Sequence, residues 1–239
     1  DRLTGEKVAT EYYGAKLKLL DLEYGNVAVP LEYNTLPEGT YRNTKVYPSR
    51  YKVWANGPFF ELDTIYGDIR SLKKMDLIVT PNVTLKIKKV EVLYGITANV
   101  TFTYQVNDER SKHQEIGLVY GKEQYPGQRT AMNESESGSH TYKRIKKNLT
   151  ELSGEFTETL FLNPNSTYYL RALGRTESAG DYWNYSEQTV INTTDIDLSS
   201  LPIEAAVGVS SATSAVLQWA FPPVVDEIKV SYTDRDGEE

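Results

Sequence analysis

A chain of 239 residues, 39% of them hydrophobic, is long enough for two folded domains and a little more. It has no cysteine, which excludes disulfides, thiolate metal sites and cysteine nucleophiles together, and no apolar run long enough to cross a bilayer as a helix. The net charge of −7 falls mainly on residues 197–239, with 8 acidic against 2 basic side chains, and no segment is basic enough to track a nucleic-acid backbone.

Taken from the N-terminus, the pattern is strand after strand. Short runs alternate apolar and polar residues, and clusters of Gly, Pro, Asn and Asp divide them. The best short helix candidate is Ile69–Lys74. A first segment, 1–82, ends where Pro81 interrupts the strand pattern in Thr80-Pro81-Asn82. Its opening Asp1-Arg2-Leu3-Thr4-Gly5-Glu6-Lys7-Val8, and the later run from Pro37 to Val53, resemble carboxypeptidase-regulatory-like sandwiches of prealbumin type. The resemblance implies a β-sandwich over 1–82.

The second segment, 83–196, alternates most clearly. Val100, Phe102 and Tyr104 are separated by Thr101 and Thr103, and Ile116, Leu118 and Tyr120 repeat the spacing. Later comes Leu162-x-Pro164-x-Ser166-x-Tyr168, a turn cluster running into a tyrosine-led strand. It resembles the corner before strand F of a fibronectin type III domain. That implies an inward Tyr168 whose hydroxyl bonds the turn backbone, Leu170 and Ala172 in the core, Tyr169 and Arg171 outward, and a last strand over Asn184–Asn192. Tyr104 stands where that family carries its core tryptophan. In the third segment, 197–239, Ser214–Trp219, Pro222-Pro223 and Ile228–Tyr232 resemble strands B and C of the same family. The expected fold class is all-β: tandem β-sandwiches, prealbumin-like and then fibronectin type III/Ig-like, with a partial third β unit truncated at Glu239.

The order of Asn56-Gly57-Pro58-Phe59-Phe60, Asp63-Thr64-Ile65 and Val79-Thr80-Pro81, followed by a fibronectin-like domain, is similar to a Bacteroidetes family of surface lipoproteins of unknown function encoded beside glycan-import systems. The resemblance implies an outer-membrane, cell-surface protein held only by a lipid anchor on a cysteine upstream of Asp1, with outer-membrane transporter proteins as partners. Secretion is the alternative. Asp63-Thr64-Ile65 also fits the O-glycosylation pattern of such bacteria.

Motifs for chemistry are scarce. The two histidines, His113 and His140, sit in polar turn-like stretches and read as surface residues. No nucleophile elbow, phosphate loop or nucleotide fingerprint occurs. Asp195 and Asp197 are a carboxylate pair, but acid–base work on a glycosidic bond needs a cleft to hold them. The expectation is therefore a protein that is not an enzyme, with no catalytic residue, no metal ligand and no cofactor. The basic run Lys143-Arg144-Ile145-Lys146-Lys147 reads as a solvated loop or strand edge.

Aromatic residues are the stronger lead, with 18 tyrosines. Sugars present apolar C–H faces to aromatic rings and hydroxyls to polar groups. The first candidate is Asp181-Tyr182-Trp183-Asn184-Tyr185, with Trp183 exposed at a sandwich end beside Tyr182 or Tyr185, and Asn184 bonding sugar hydroxyls. In the competing reading Trp183 seals the sandwich. A second candidate is Trp54–Phe60 with Tyr66, where packing competes. Tyr12-Tyr13 stands isolated. Asn-x-Ser/Thr occurs seven times, at Asn82, Asn99, Asn133, Asn148, Asn165, Asn184 and Asn192, and reads as the Asn and Thr usage of turns and strands. Two functions stay open: a glycan-binding accessory protein whose partner is a polysaccharide or oligosaccharide, or a structural spacer or adhesion protein that projects a later domain.

Overall fold

The computed structural model describes residues 1–10, 15–24, 30–36, 38–42, 46–70, 74–127, 142–179, 182–197, 204–210 and 215–220. Expectations placed on Tyr12, Tyr13, Pro37, the middle of Ile69–Lys74, Asn133, His140, Asp181, Ser214 and residues 221–239 lie outside them. Apart from one short 3₁₀ turn, the regular secondary structure of the described residues is all strand, so the fold is all-β.

The strands between residues 16 and 81 form two sheets. One has the order β3 (Leu31–Asn34), β2 (Lys16–Asp21), β4 (Arg50–Asn56), β6 (Thr64–Asp68), all antiparallel. Leu17 and Leu19 of β2 alternate with Lys16 and Lys18, and pack with Tyr51 and Val53 of β4. The second sheet pairs β5 (Phe59–Leu62) with β7 (Val79–Pro81).

The larger body is a sandwich. A three-stranded sheet of β12 (Ser153–Phe161), β9 (Thr97–Val106) and β8 (Val83–Leu93) faces a sheet built on β11 (Tyr142–Leu149), β10 (Gln114–Gly121) and β13 (Thr167–Thr176). Val100, Phe102 and Tyr104 fill the space between the sheets, meeting Ile116, Leu118, Leu170 and Ala172. Each such side chain taken from water contributes about 1.5–3 kcal/mol. Tyr104 lies stacked on Phe156 with ring centroids 5.7 Å apart, and its hydroxyl donates to the Glu151 carbonyl at 3.2 Å. A tyrosine serves as the core aromatic here because that carbonyl satisfies its hydroxyl.

Hairpin β8–β9 turns through Tyr94 (φ 53°) and Gly95 (φ 77°), both left-handed, which matches the twist of the flanking strands. At Gly95 a Cβ would also sit 2.1 Å from the Asp195 carbonyl oxygen, so only glycine fits.

The tyrosine corner forms as the resemblance implies. Tyr168 is buried, and its hydroxyl accepts the Asn163 N–H at 3.1 Å.

Two expectations are corrected. Asn184–Asn192 is not one strand. It divides into β14 (Asn184–Tyr185) and β15 (Thr189–Asn192), both paired with β13. Leu173 lies opposite Tyr185 and Leu170 opposite Thr189, so this side of the ladder holds one extra residue. The extra residue flips the side-chain alternation. Ile191 then enters the main core while Tyr185 faces the other side of the sheet. Nor does Arg171 point to water. It is fully buried, with its guanidinium 4.4 Å from the Tyr185 ring centroid and its Nε donating to the Ser186 carbonyl at 3.2 Å.

The outer side of the β10–β13 sheet is covered rather than wet. Val119 and Leu173 there pack against Trp183, Tyr185 and Ala9. Ala9 belongs to β1 (Ala9–Thr10), which pairs with β14 and so joins a sheet made of residues more than a hundred positions away. Among the described residues of the third segment, β16 (Glu204–Ser210) and β17 (Ala215–Ala220) form an antiparallel hairpin.

Candidate functional site

The four candidate residues Tyr182, Trp183, Asn184 and Tyr185 fall in three places. Trp183 is only 2% exposed, which corrects the expectation that its ring is open at a sandwich end. Charged side chains enclose it: Arg175 Cζ lies 4.7 Å, Lys146 Nζ 5.3 Å and Arg144 Cζ 5.4 Å from its ring centroid. Cations over the face of an indole are attracted by its quadrupole, so these side chains close the cluster from outside. Glu115 accepts from Lys146 at 3.0 Å and from Arg175, which neutralises part of that charge. Tyr185 is buried beside Trp183, and its hydroxyl donates to the Gly127 carbonyl at 2.8 Å. Burial beside these rings pushes the Arg171 guanidinium down to about 10, which leaves it charged at neutral pH.

Asn184 faces the opposite way and is buried as well. Its Oδ1 accepts the Val83 N–H at 3.2 Å and its Nδ2 donates to the Pro58 carbonyl at 3.2 Å. The side-chain amide is thus engaged at both ends by the protein, and acts as a pin.

Tyr182 is the one of the four that stays open, at 44% exposure. It borders a cleft of about 290 Å³ with Phe59 and Phe60, Asn82, Asp108 and Arg110, and the 3₁₀ turn Glu177–Ala179. The cleft unites the two aromatic stretches picked from the sequence. Phe60 is 41% exposed for a local reason. Phe59 pairs with Pro81 and Glu61 with Thr80, so Phe60 is the extra residue of a bulge. Bulges re-aim side chains in this way. The rest of the second stretch goes elsewhere: Trp54 lies half-buried in β4 under Lys52, and Tyr66 stands exposed on β6.

The β5–β7 sheet is held against the sandwich by shared backbone partners. The Pro58 carbonyl accepts the Asn82 N–H at 3.0 Å besides the Asn184 amide, and the Asn82 carbonyl accepts the Asn107 N–H at 2.9 Å. The polar wall is a pair that sequence reading missed. Asp108 Oδ1 accepts the Arg110 backbone N–H at 3.1 Å and its Nε at 2.8 Å, and Oδ2 accepts Arg110 Nη2 at 3.2 Å. The side-chain bonds from Arg110, then the backbone bond, hold the Asp108 carboxyl below the usual carboxylate range. Asp-x-Arg on a loop is a common turn pattern, so only its place beside the two aromatic segments marks it.

A shallow cleft with two exposed aromatic rings and an oriented guanidinium can hold a ligand with apolar faces and polar edges. Among the described residues no group of three or more His, Asp or Glu side chains is placed to hold a metal ion. His113 lies elsewhere, in a groove with Glu115, Asn148 and Arg175.

No family model and no curated protein matches the chain. Solved structures do. A DUF3823 family protein from Bacteroides ovatus superposes with a TM-score of 0.59 at 18% identity, covering 79% of this chain and 94% of that one. One from Bacteroides uniformis gives 0.59 at 17%, covering 81% and 96%. One from Parabacteroides merdae gives 0.58 at 15%, covering 79% and 94%. The fold is shared with these DUF3823 family proteins.

Proposed function

We propose that the protein is a non-catalytic accessory protein of the bacterial cell surface that binds glycan in the cleft bordered by Phe60 and Tyr182. One observation carries the reading: exposed Phe60 and Tyr182, over a hundred residues apart in the chain, border one cleft with an Asp108–Arg110 pair. Sugar C–H faces suit the rings and sugar hydroxyls suit the charged pair. A Bacteroidetes origin is supported by the shared fold with Bacteroides and Parabacteroides proteins. The lipid anchor upstream of Asp1, the outer-membrane location and the neighbouring glycan transporter rest on the sequence resemblance to surface lipoproteins.

The same proposal takes 1–82 as the prealbumin-like unit, 83–196 as the fibronectin-like unit and 197–239 as the start of another. The strand order β12-β9-β8 against β11-β10-β13 supports the second, and hairpin β16–β17 the third.

Binding of the whole chain to a glycan array tests the reading. Signal that Tyr182→Ala and Phe60→Ala both reduce is the expected result, and an array with no signal sinks it. In that event the spacer reading takes over. It is favoured by the burial of Trp183, Asn184 and Tyr185, and by β1 being paired into the larger sheet.

A further inference from the structure

The polar wall of the cleft is not symmetric in charge. Asp108 turns its carboxylate inward, with its side chain 12% exposed, while the Arg110 side chain is 85% exposed. Guanidinium has five N–H donors and no acceptor. Nε and one N–H of Nη2 are spent on Asp108. What remains is the Nη1–Nη2 end, a planar fork of donors, with Asp108 fixing its orientation from behind. A sugar hydroxyl would use one prong at a time, whereas a carboxylate accepts two parallel bonds from such a fork. Arg110 is the only cation among the described residues lining the cleft, so the site matches a single carboxylate and not a densely charged polyanion.

We infer that the cleft takes a uronic-acid unit within an otherwise mostly neutral glycan, its carboxylate forked by Arg110 and an adjoining sugar face resting on Phe60 or Tyr182. This rests on the cleft being a glycan site, and the test separates the two claims.

Calorimetry on the whole chain would use a xylo-oligosaccharide and a galacto-oligosaccharide, each carrying a single glucuronate and each beside its methyl ester. Esterification removes the charge and leaves the sugar. At least one free acid should bind about ten-fold more tightly than its ester, the scale of one charge-assisted hydrogen bond. Arg110→Gln should erase that preference, Arg110→Lys should restore it in part, and Tyr182→Ala should weaken acid and ester by equal factors. Arg110 is exposed, so its variants should melt with the wild type. Equal binding of acid and ester, a preference that survives Arg110→Gln, or tighter binding of a sulfated oligosaccharide would each overturn the inference. Tyr182-dependent binding would then still uphold the glycan site. No binding of any acid, ester or neutral oligosaccharide would overturn both.

Discussion

The Asn184 side chain donates to the Pro58 carbonyl at 3.2 Å across 126 positions of chain, and accepts the Val83 N–H at the same distance. One buried amide therefore fixes the turn before Phe60 against the strand that follows Tyr182. Asn184→Leu keeps the volume and removes both bonds. It should cost about 1–3 kcal/mol, because the Val83 N–H is left buried without this partner. It should also weaken binding of a ligand in the cleft, although Asn184 is not among the residues that line it. Urea titration and calorimetry of the same variant check both halves.

Trp183 and Tyr182 are neighbours with opposite fates. Trp183→Ala empties an enclosed site and should cost about 3–5 kcal/mol. Tyr182→Ala should change stability by no more than about 0.5 kcal/mol, as exposed substitutions do. Parallel denaturant curves read this directly. Equal losses would mean that Tyr182 also packs.

For the tyrosine corner, Tyr168→Phe deletes only the hydroxyl that accepts the Asn163 N–H. The expected loss is about 0.5–1.5 kcal/mol, the net value of one hydrogen bond. An unchanged urea midpoint would show that the hydroxyl contributes nothing.

Glu115 supplies a pH dependence. Its partial burial works to raise the carboxyl, but hydrogen bonds from Lys146 and Arg175 outweigh it and hold the group below the usual carboxylate range. A carboxyl lowered in the folded state binds fewer protons there than in the unfolded chain. Its stabilisation is complete above the ordinary carboxylate range and is lost as pH falls through the folded value. Glu115→Gln should therefore be less stable than wild type at pH near 7, and the gap should close in acid. A gap that stays constant between neutral pH and about pH 3 would exclude this linkage.

Strand content, the inward set Val100, Phe102 and Tyr104, and the corner at Tyr168 were all legible in the sequence. Each depends on local alternation or on a turn of fixed spacing, which a short stretch of chain expresses by itself. The facing of residues 182–192 was not. A single extra residue opposite β13 reverses every side chain beyond it, and no residue in Ser186-Glu187-Gln188 announces that slip. Arg171 alternates as an outward residue should, yet it is buried, because Trp183, Tyr185 and β1 cover the side of the sheet that water would otherwise reach. The cleft lay furthest from view. Its aromatic stretches were visible one by one, but their meeting depends on the Phe60 bulge, on the Asn184 pin and on the turn that aims Arg110, and those are long-range or geometric facts. Local pattern determined which residues form strands, and packing between distant strands decided which side chains are buried and which line the cleft.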